Sequence, residues 1–225
     1  MKATIFGATG MVGIEVLHHC LNETRFKQVV TIGRHVTGVT HPKLREIEHH
    51  DFTDYGTLKS ELSETSVCFY CLGVYQGKVS TEKFWEITCT YFESLLEFFQ
   101  EVGPGGTTFC LLSAQGADPR EKSPFLFAKA KGRAEKKFMD AKIKKKYIFR
   151  PGYINPGRKV SKSRIPAWVV KPFYKLFPGI GIDAPMLAGV MVEVGLNGCL
   201  QVLFENTDIR KMGQGQLKGV IKNLG

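Results

Sequence analysis

The chain lacks any hydrophobic run long enough to cross a membrane. No segment of its 225 residues approaches the roughly 18 consecutive apolar residues that a transmembrane helix needs. The first residues also lack the basic segment and apolar run of a secretory signal peptide. The sequence therefore predicts a soluble, cytoplasmic protein with one substantial hydrophobic core.

Paired cysteines and metal-ligand spacings are missing as well. The six cysteines are dispersed, and the CxxC formed by Cys68 and Cys71 lies in an apolar run typical of a strand, not at a helix start. The six histidines show no metal-ligand spacing. We therefore expect buried free thiols and no metal site.

Acidic residues are scarce in one part of the chain. Residues 120–175 hold 18 Lys and Arg against 3 Asp and Glu, whereas the whole chain has a net charge of +10. Such a region suits phosphates, anionic lipid or nucleic acid, or is simply a solvated helix surface. No recognition motif accompanies it, so we expect no specific nucleic-acid partner. Three prolines in residues 164–179 argue against an amphipathic helix, which makes peripheral contact with an anionic membrane a minor alternative.

Short strands and helices alternate as far as about residue 150. Apolar, β-branched runs predict strands, and apolar residues at helical spacing predict helices. The predicted strands are residues 2–6, 28–33, 44–50, 67–72, 108–112 and 147–150, and the predicted helices are residues 10–21, 81–101 and 125–140. This alternation predicts an α/β fold, a Rossmann-type doubly wound and mostly parallel sheet, in which residues 44–50 form an edge strand.

The chain changes character after the sixth predicted strand. Residues 155–186 are rich in Pro, Gly, Lys and aromatic residues, and a helical pattern follows over residues 187–202 before a polar tail. We therefore expect a Rossmann-type domain, residues 1–154, and a small C-terminal substrate or lid region, residues 155–225, packed on the same core. Ligands of open α/β sheets lie beyond the carboxyl ends of the strands, where a late segment would cover them. The lid aromatics, which either enclose an apolar substrate or pack internally, are Trp168, Phe173, Tyr174 and Phe177.

The stretch GATGMVG, residues 7–13, follows the first predicted strand and opens the first helix. A pyrophosphate needs backbone N–H groups from a helix start, and an intervening Cβ would hold it away. We assign Gly7 to the turn, Gly10 to the approach of the phosphates and Gly13 to close helix–sheet packing. A purely structural glycine turn is the alternative. The same turn is expected to place three further residues in contact with the dinucleotide: Thr9, Met11 and Val12.

Arg34 follows the second predicted strand, where the adenosine ribose of a bound cofactor lies. Its guanidinium suits a 2′-phosphate, whereas a carboxylate there would suit NAD. NADP(H) is therefore favoured over NAD(H), and an ordinary surface arginine is the alternative. The other expected cofactor contacts are Asp51 and Phe52 beside the adenine, Leu72 and Gly73 after the fourth strand, and Pro151 and Tyr153 after the sixth.

Seven segments, in order across nearly the whole chain, carry a resemblance to a known family. They are GATGMVG (7–13), IGR (32–34), CLGVYQGK (71–78), LLSAQGAD (111–118), FLFAKAKGRAE (125–135), FRPGYI (149–154) and ENTDIRKM (205–212). Together they resemble the atypical branch of the short-chain dehydrogenase/reductase superfamily, and more narrowly its Tat-interacting-protein-like NAD(P)-binding oxidoreductases. The resemblance implies a Rossmann domain, NADPH binding and a cytosolic protein, with the nucleus as an additional location left open. It implies no particular substrate.

One position departs from the superfamily's pattern. Its reductases carry a serine and then Tyr-x-x-x-Lys: the phenol donates a proton to the substrate carbonyl, the lysine lowers the pKa of the phenol and holds the nicotinamide ribose, and the serine polarises the carbonyl. Ser113 and Lys131 match the serine and the lysine, but Phe127 occupies the tyrosine position. A shift of two residues places Phe125 there and restores no phenol.

Three functions stay open. The first is a reductase of a small carbonyl or other electrophile that takes its proton from Tyr75 or Tyr153, and the retained Ser113 and Lys131 favour it. The second is a non-catalytic NADPH-binding redox sensor or regulatory scaffold that acts through protein partners, and the lost phenol favours it. The third is a protein associated with nucleic acid or membrane through residues 120–175. No oligomeric state is indicated.

Overall fold

The structure is a computed structural model that describes residues 1–102, 106–156 and 181–215. Its strands in chain order are β1 (Lys2–Phe6), β2 (Gln28–Gly33), β3 (Leu44–Glu48), β4 (Val67–Tyr70), β5 (Thr108–Leu112), β6 (Lys145–Arg150), β7 (Tyr153–Asn155), β8 (Gly181–Asp183) and β9 (Leu203–Glu205). Its α-helices are α1 (Met11–Asn22), α2 (Lys59–Ser63), α3 (Thr81–Trp85), α4 (Tyr91–Val102), α5 (Leu126–Asp140), α6 (Ala184–Asn197) and α7 (Asn206–Gly213). The first turn before α2 is a 3-10 helix (Gly56–Leu58).

Seven parallel strands form the central sheet in the order β3-β2-β1-β4-β5-β6-β9. The order reverses direction between β1 and β4, as it does in a doubly wound fold. Strands β1 and β4 are buried along their whole length, because helices cover both faces of the sheet. The predicted fold class is therefore confirmed, and β3 is an edge strand as expected.

The sheet separates two hydrophobic cores. One contains residues of α1 and α6, and the other contains residues of α2, α4 and α5. Helix α6 packs beside α1 at Gly189, where an added Cβ would lie 3.3 Å from the His19 ring. The His19 ring also contacts the Pro185 carbonyl oxygen at 3.1 Å. The described C-terminal residues thus complete the same core instead of forming one of their own.

Two parts of the chain differ from the predicted elements. Residues 81–101, predicted as one helix, form α3, a π-helical segment (Glu86–Thr90) and α4. The wider turn lets the Cys89 thiol donate to the Ala130 carbonyl of α5 at 3.2 Å. The residues expected as a polar tail form α7, because Glu205 and Asp208 make a capping box at its start.

Strand β9 was not predicted, and the helix predicted at residues 187–202 begins and ends earlier, as α6. Pro185 suits the first turn of α6, and Gly198, at φ +74°, ends the helix. The lid aromatics Trp168, Phe173, Tyr174 and Phe177 lie outside the described residues. Within the described ranges, no helix is both long and apolar enough to span a bilayer. All six cysteines are free thiols, and only Cys71 is not fully buried.

Candidate functional site

Two glycines of the turn after β1 are required by packing. Gly7 has φ +79°, and a Cβ there would lie 2.7 Å from the Leu72 nitrogen. A Cβ on Gly13 would lie 2.1 Å from the Gly7 carbonyl oxygen, far inside van der Waals contact. These two positions therefore bring α1 against the carboxyl ends of β1 and β4, with Leu72 half-buried beside the turn.

Gly10 is different, because its backbone angles do not require a glycine and an added Cβ would meet a single atom. Its dihedral angles, φ −81° and ψ 167°, suit any residue. An added Cβ would meet only the Gly7 carbonyl oxygen, at 3.2 Å, so it would otherwise project into open space. Gly10 is the N-cap of α1, and no side chain among the described residues caps this helix start. The first N–H groups of α1 are thus left for an anion that approaches over Gly10.

The residues around Gly10 differ in how far they reach the surface. Thr9 is exposed and Met11 is half-buried, so both side chains border the open space over Gly10. Val12 is buried in the core between the sheet and α1. The main chain of Val12, and not its side chain, is therefore the part that faces a ligand.

Arg34 lies at the carboxyl end of β2, next to the glycine turn. Strands β1 and β2 pair in parallel, with Phe6 opposite Ile32, so the segments that follow them are neighbours. The Arg34 side chain is exposed and makes no hydrogen bond or ion pair with the described residues. A free guanidinium in this place fits a phosphate on the adenosine ribose of a dinucleotide.

Asp51 and Phe52 follow β3 and face in opposite directions. The Asp51 carboxylate is exposed and accepts a hydrogen bond from the Thr53 N–H at 2.9 Å. Hydrogen bonds from Thr53 hold the pKa of Asp51 below its usual range. The Phe52 ring is 1% exposed and stacks on Tyr91 at 5.3 Å between ring centroids. Only the main chain of Phe52 is therefore left to line an adenine site.

Lys131 links the carboxyl ends of β4 and β5. Its ammonium donates to the Leu112 carbonyl oxygen at 3.2 Å and lies 3.9 Å from the place of a Cβ on Gly73. Burial lowers the pKa of Lys131, and the negative charge of Glu135 opposes this effect. The exposed Gly73 leaves space above the ammonium, as a cofactor passing this edge would need.

Ser113 lies beyond the end of β5, and its side chain is buried and hydrogen-bonded. Its hydroxyl donates to the Glu135 carboxylate of α5. Arg150 at the end of β6 donates its Nε to the same carboxylate at 2.9 Å and forms an ion pair with it through Nη2. The Ser113 proton is thus committed to Glu135 in this conformation, and not offered to a substrate carbonyl.

Phe127 precedes Lys131 by one turn of α5 and is half-buried. Its N–H donates to Gln76 Oε1 at 3.1 Å, which ties the start of α5 to the loop after β4. The Cζ atom of its ring lies 3.9 Å from the place of a Cβ on Gly116. A benzene ring without a hydroxyl therefore stands one helical turn before Lys131, next to Gly116.

Two phenols lie near each other at the same edge of the sheet. Tyr75 in the loop after β4 is 61% exposed, and Tyr153 after β6 is 41% exposed. Desolvation raises the pKa of Tyr75, and the neighbouring Tyr153 adds to the rise. Pro151, just before Tyr153, is buried, and its carbonyl accepts from the Gln115 N–H at 2.8 Å. Both phenols are accessible to a substrate, but Tyr75 is a weaker acid than an ordinary tyrosine.

A cavity of about 330 Å³ lies between the loop after β4 and the start of α5. Its apolar walls come from Val79, Phe84 and Leu126, and its polar groups include the amide of Gln76. This volume is within the range of small-molecule pockets. Because Gln76 also accepts from the Phe127 N–H, the cavity adjoins the α5 turn that carries Phe127.

Two curated relatives align with most of the chain. Protein FMP52-1, mitochondrial, from Scheffersomyces stipitis is 27% identical over 213 residues, 92% of this chain and 92% of the relative. Protein HTATIP2 from Rattus norvegicus is 28% identical over 177 residues, 77% of this chain and 70% of the relative. No family model matches the chain.

Solved structures share the fold. WbmG from Bordetella bronchiseptica, in complex with NAD, superposes with a TM-score of 0.70 at 14% identity and covers 100% of this chain and 79% of its own. A short-chain dehydrogenase/reductase from Saccharomyces cerevisiae superposes with a TM-score of 0.63 at 14% identity, over 92% of this chain and 96% of its own. The chain is similar in sequence to the two relatives and shares its fold with solved short-chain dehydrogenases/reductases. The resemblance noted in the sequence is thereby confirmed, including its Tat-interacting-protein-like branch.

The expectation of a cytoplasmic protein is wrong. Several of its relatives from different fungi are named as mitochondrial proteins. The prediction rested on the absence of a secretory signal peptide. That absence says nothing about other organelles.

Sequence reasoning proposed the glycine turn, Arg34 and Lys131 as site residues, but it did not consider Glu135, Arg150 and Glu205. Glu135 is 1% exposed. Arg150, which contacts Glu135, also donates a hydrogen bond from Nη1 to the Glu205 carboxylate at 2.9 Å. A signal was present, since an acidic residue stood one turn after Lys131 on a helix otherwise rich in lysine. A glutamate on the apolar face of a helix needs a buried positive or hydrogen-bonding partner, because burying an unpaired charge is costly.

Proposed function

We propose that the chain binds NADP(H) at the edge formed by the glycine turn, Arg34 and Lys131. The observation that carries the proposal is Gly10, a glycine that its backbone angles do not require, at a helix start that no described side chain caps. Gly7 and Gly13 shape the cradle, and Arg34 supplies a free positive charge for a 2′-phosphate. WbmG, a structure of the same fold, is in complex with NAD, which supports a dinucleotide as the ligand.

We further propose that the site reduces a small carbonyl or similar electrophile. Bound NADPH supplies a hydride. Lys131 holds the nicotinamide ribose, the cavity beside Gln76 receives the apolar part of the substrate, and Tyr75 or Tyr153 donates the proton that the new alkoxide takes up. The exposure of both phenols at the same edge supports this assignment. The role first assigned to Ser113, to orient the carbonyl, would require its hydroxyl to leave Glu135.

A specific observation favours a second candidate, an NADPH-binding sensor or scaffold without turnover. Phe127 stands where the phenol of a reductase would be, and the Ser113 hydroxyl is committed to Glu135. Loss of a well-placed general acid costs about two to four decades in rate. In this candidate, cofactor occupancy changes the surface that a protein partner meets. Stable NADPH in the presence of many carbonyl compounds would favour it.

Substitution of Arg34 by alanine is expected to weaken NADPH binding about tenfold or more and to leave NADH binding unchanged. The reason is that only NADPH carries the 2′-phosphate, and a charge-assisted hydrogen bond contributes about 1.5–3 kcal/mol. Calorimetric titration of the wild-type protein and the Arg34→Ala variant with both cofactors measures this. Lys27→Ala, on an exposed lysine at the other end of β2, is the matched control. Equal losses of affinity for the two cofactors would show that Arg34 does not bind the 2′-phosphate.

Substitution of the proton-donating tyrosine by phenylalanine is expected to lower turnover about 100-fold or more without changing the Kd of NADPH. The two single variants, Tyr75→Phe and Tyr153→Phe, are compared by oxidation of NADPH with small aldehydes and quinones. The loss of the hydroxyl alone leaves each ring in place, so folding is preserved. Unchanged rates in both variants would remove both phenols from the mechanism.

We also propose a mitochondrial location for the chain. The names of the fungal FMP52 relatives support it, as does the coverage of 92% of both chains in one case. A fluorescent fusion of the full chain, imaged with a mitochondrial dye, tests the proposal. A diffuse signal that excludes the organelle would contradict it.

A further inference from the structure

The cavity beside the start of α5 has no charged side chain among the described residues that line it. The side chains of its lining are Gln76, Val79, Ser80, Thr81, Phe84 and Leu126. The lysines of the same segment have other partners. Lys78 Nζ lies 5.1 Å from the centroid of the Tyr75 ring, and Lys83 Nζ forms an ion pair with a carboxylate at 2.9 Å. An ionised group in this cavity would therefore lose hydration without gaining a counter-charge from the lining.

Gln76 is held at this cavity by the start of α5. The helix begins after Phe125, whose side chain makes no capping hydrogen bond. The Phe127 N–H is one of the donors that a helix start leaves without a helical partner, and it donates to Gln76 Oε1 at 3.1 Å. A main-chain N–H can only donate, so this contact decides which end of the carboxamide is the oxygen. The Nε2 end of Gln76 is thus the end that remains for another partner.

The Nε2 group of Gln76 is a donor next to apolar walls. It makes no hydrogen bond with the described residues, and its two N–H groups cannot accept one. The neighbouring Ser80 hydroxyl is engaged at the start of α3, where it accepts from the Lys83 N–H at 3.2 Å. Phe84, on the apolar side, is 3% exposed. The cavity therefore combines a hydrogen-bond donor with an apolar surface, as an uncharged ligand with an acceptor oxygen requires.

We propose that Gln76 is a specificity-determining residue, whose Nε2 donates to the carbonyl oxygen of an uncharged ligand in this cavity. The apolar part of the ligand lies against Val79, Phe84 and Leu126, and the volume of about 330 Å³ suits a single ring or a short branched chain. Carboxylates of the same size are excluded. The proposal rests on the proposed function, in which the same cavity receives the substrate, but binding there can be measured without NADPH.

The first experiment titrates the cofactor-free protein with acetophenone and with benzoate, which have nearly equal size and differ in charge. The reporters are the methyl signals of Val79 and Leu126 and the ¹⁵N side-chain amide signal of Gln76, which is assigned by its loss in Gln76→Glu. We expect acetophenone to shift these signals with saturation. Benzoate is expected to bind about tenfold more weakly or less, although a chain of net charge +10 attracts anions. Equal affinities would overturn the selection for uncharged ligands.

The second experiment replaces the donor of Gln76 by an acceptor of the same size. In Gln76→Glu one carboxylate oxygen can still accept from the Phe127 N–H, so the start of α5 keeps its contact. Acetophenone is expected to bind about tenfold more weakly, because the carboxylate has no proton for the carbonyl oxygen. The 1-phenylethylammonium ion has the same skeleton with a cation in place of the carbonyl, and it is expected to bind the variant better than the wild-type protein. A merely structural role of Gln76 would not reverse the preference.

Gln100→Glu is the matched control for Gln76→Glu. Gln100 Oε1 likewise accepts from a main-chain N–H, that of Lys142 at 3.3 Å, but Gln100 does not line this cavity. This variant is expected to leave the affinities for both compounds unchanged. If Gln76→Glu does not fold, Val79→Trp fills the cavity and leaves Gln76 in place. The acetophenone shift at the Leu126 methyl groups is then expected to disappear, and its persistence would contradict the proposal.

The outcomes separate this inference from the proposed function. A wild-type protein in which acetophenone gives no saturable shift overturns the ligand site, whether or not the chain binds NADPH. The same holds if acetophenone binds Gln76→Glu and the wild-type protein equally. A reversed preference in Gln76→Glu, in a protein that binds no NADPH, supports the ligand site and overturns the proposed function.

Discussion

Substitution of Phe127 by tyrosine is expected to raise the rate of NADPH oxidation with small aldehydes or quinones by about 100-fold or more. Phe127 and Lys131 are separated by one turn of α5, so a phenol at residue 127 would lie beside the Lys131 ammonium. Its hydroxyl would extend from Cζ, which faces Gly116, a residue without a side chain. The ammonium would lower the pKa of the new phenol and make it a better proton donor. Absorbance at the nicotinamide band measures the rate.

Two further variants make the test of Phe127 specific. Phe125→Tyr adds a phenol on a ring that is 63% exposed and two residues away, and it is expected to give no gain. Phe127→Tyr/Lys131→Met keeps the phenol but removes the ammonium, and its rate is expected to return close to that of the wild-type protein. A folded Phe127→Tyr variant that binds NADPH and gains nothing would show that residue 127 does not face the reacting atoms.

Substitution of Gly10 by alanine is expected to weaken NADPH binding about 100-fold and to leave the fold intact. The backbone angles at Gly10 suit alanine, and its Cβ would meet only the Gly7 carbonyl oxygen at 3.2 Å. The same Cβ would project into the space over the start of α1 and hold a pyrophosphate away from the N–H groups. Loss of one or two charge-assisted hydrogen bonds, about 3 kcal/mol, corresponds to about 100-fold in Kd. Calorimetric titration with NADPH and a thermal melt measure the two effects.

Gly13→Ala is the matched control for Gly10→Ala. Its Cβ would lie 2.1 Å from the Gly7 carbonyl oxygen, so α1 would have to move away from the turn. We expect a loss of about 3 kcal/mol or more in the free energy of unfolding, because the contact is with main chain that cannot give way. Equal Kd values for NADPH in Gly10→Ala and the wild-type protein would mean that the open space over Gly10 holds no cofactor.

The strands that lie between helices were the easiest elements to predict. The predicted bounds of β1, β2 and β5 agree with the structure, because a strand covered on both faces is a short, continuous apolar run between polar turns. Strand β9 has only three residues and obtains its hydrogen bonds from β6, so its own sequence carries little signal. Helix α7 was missed for a related reason, since its residues are mostly polar.

Features of the candidate site that depend on a single residue could be predicted from the sequence. Contacts between residues that are far apart in the chain could not. Glycines at the turn are visible in sequence because their conformational demand is local. The contacts of Ser113 and Arg150 with Glu135 depend on how α5 crosses the sheet. That crossing depends in part on Gly132, where an added Cβ would lie 2.0 Å from the Asp118 main chain. The direction of the Phe52 ring is likewise decided by packing against Tyr91, which follows it by many residues.

The packing of α6 on α1 has a consequence for synthesis on the ribosome. Val16, Leu17 and Cys20 of α1 are buried together with residues of α6, which is synthesised much later than α1. The face of α1 that α6 covers therefore stays uncovered until α6 has been made. Contacts between such distant parts of a chain form slowly, and the exposed surface is prone to aggregation.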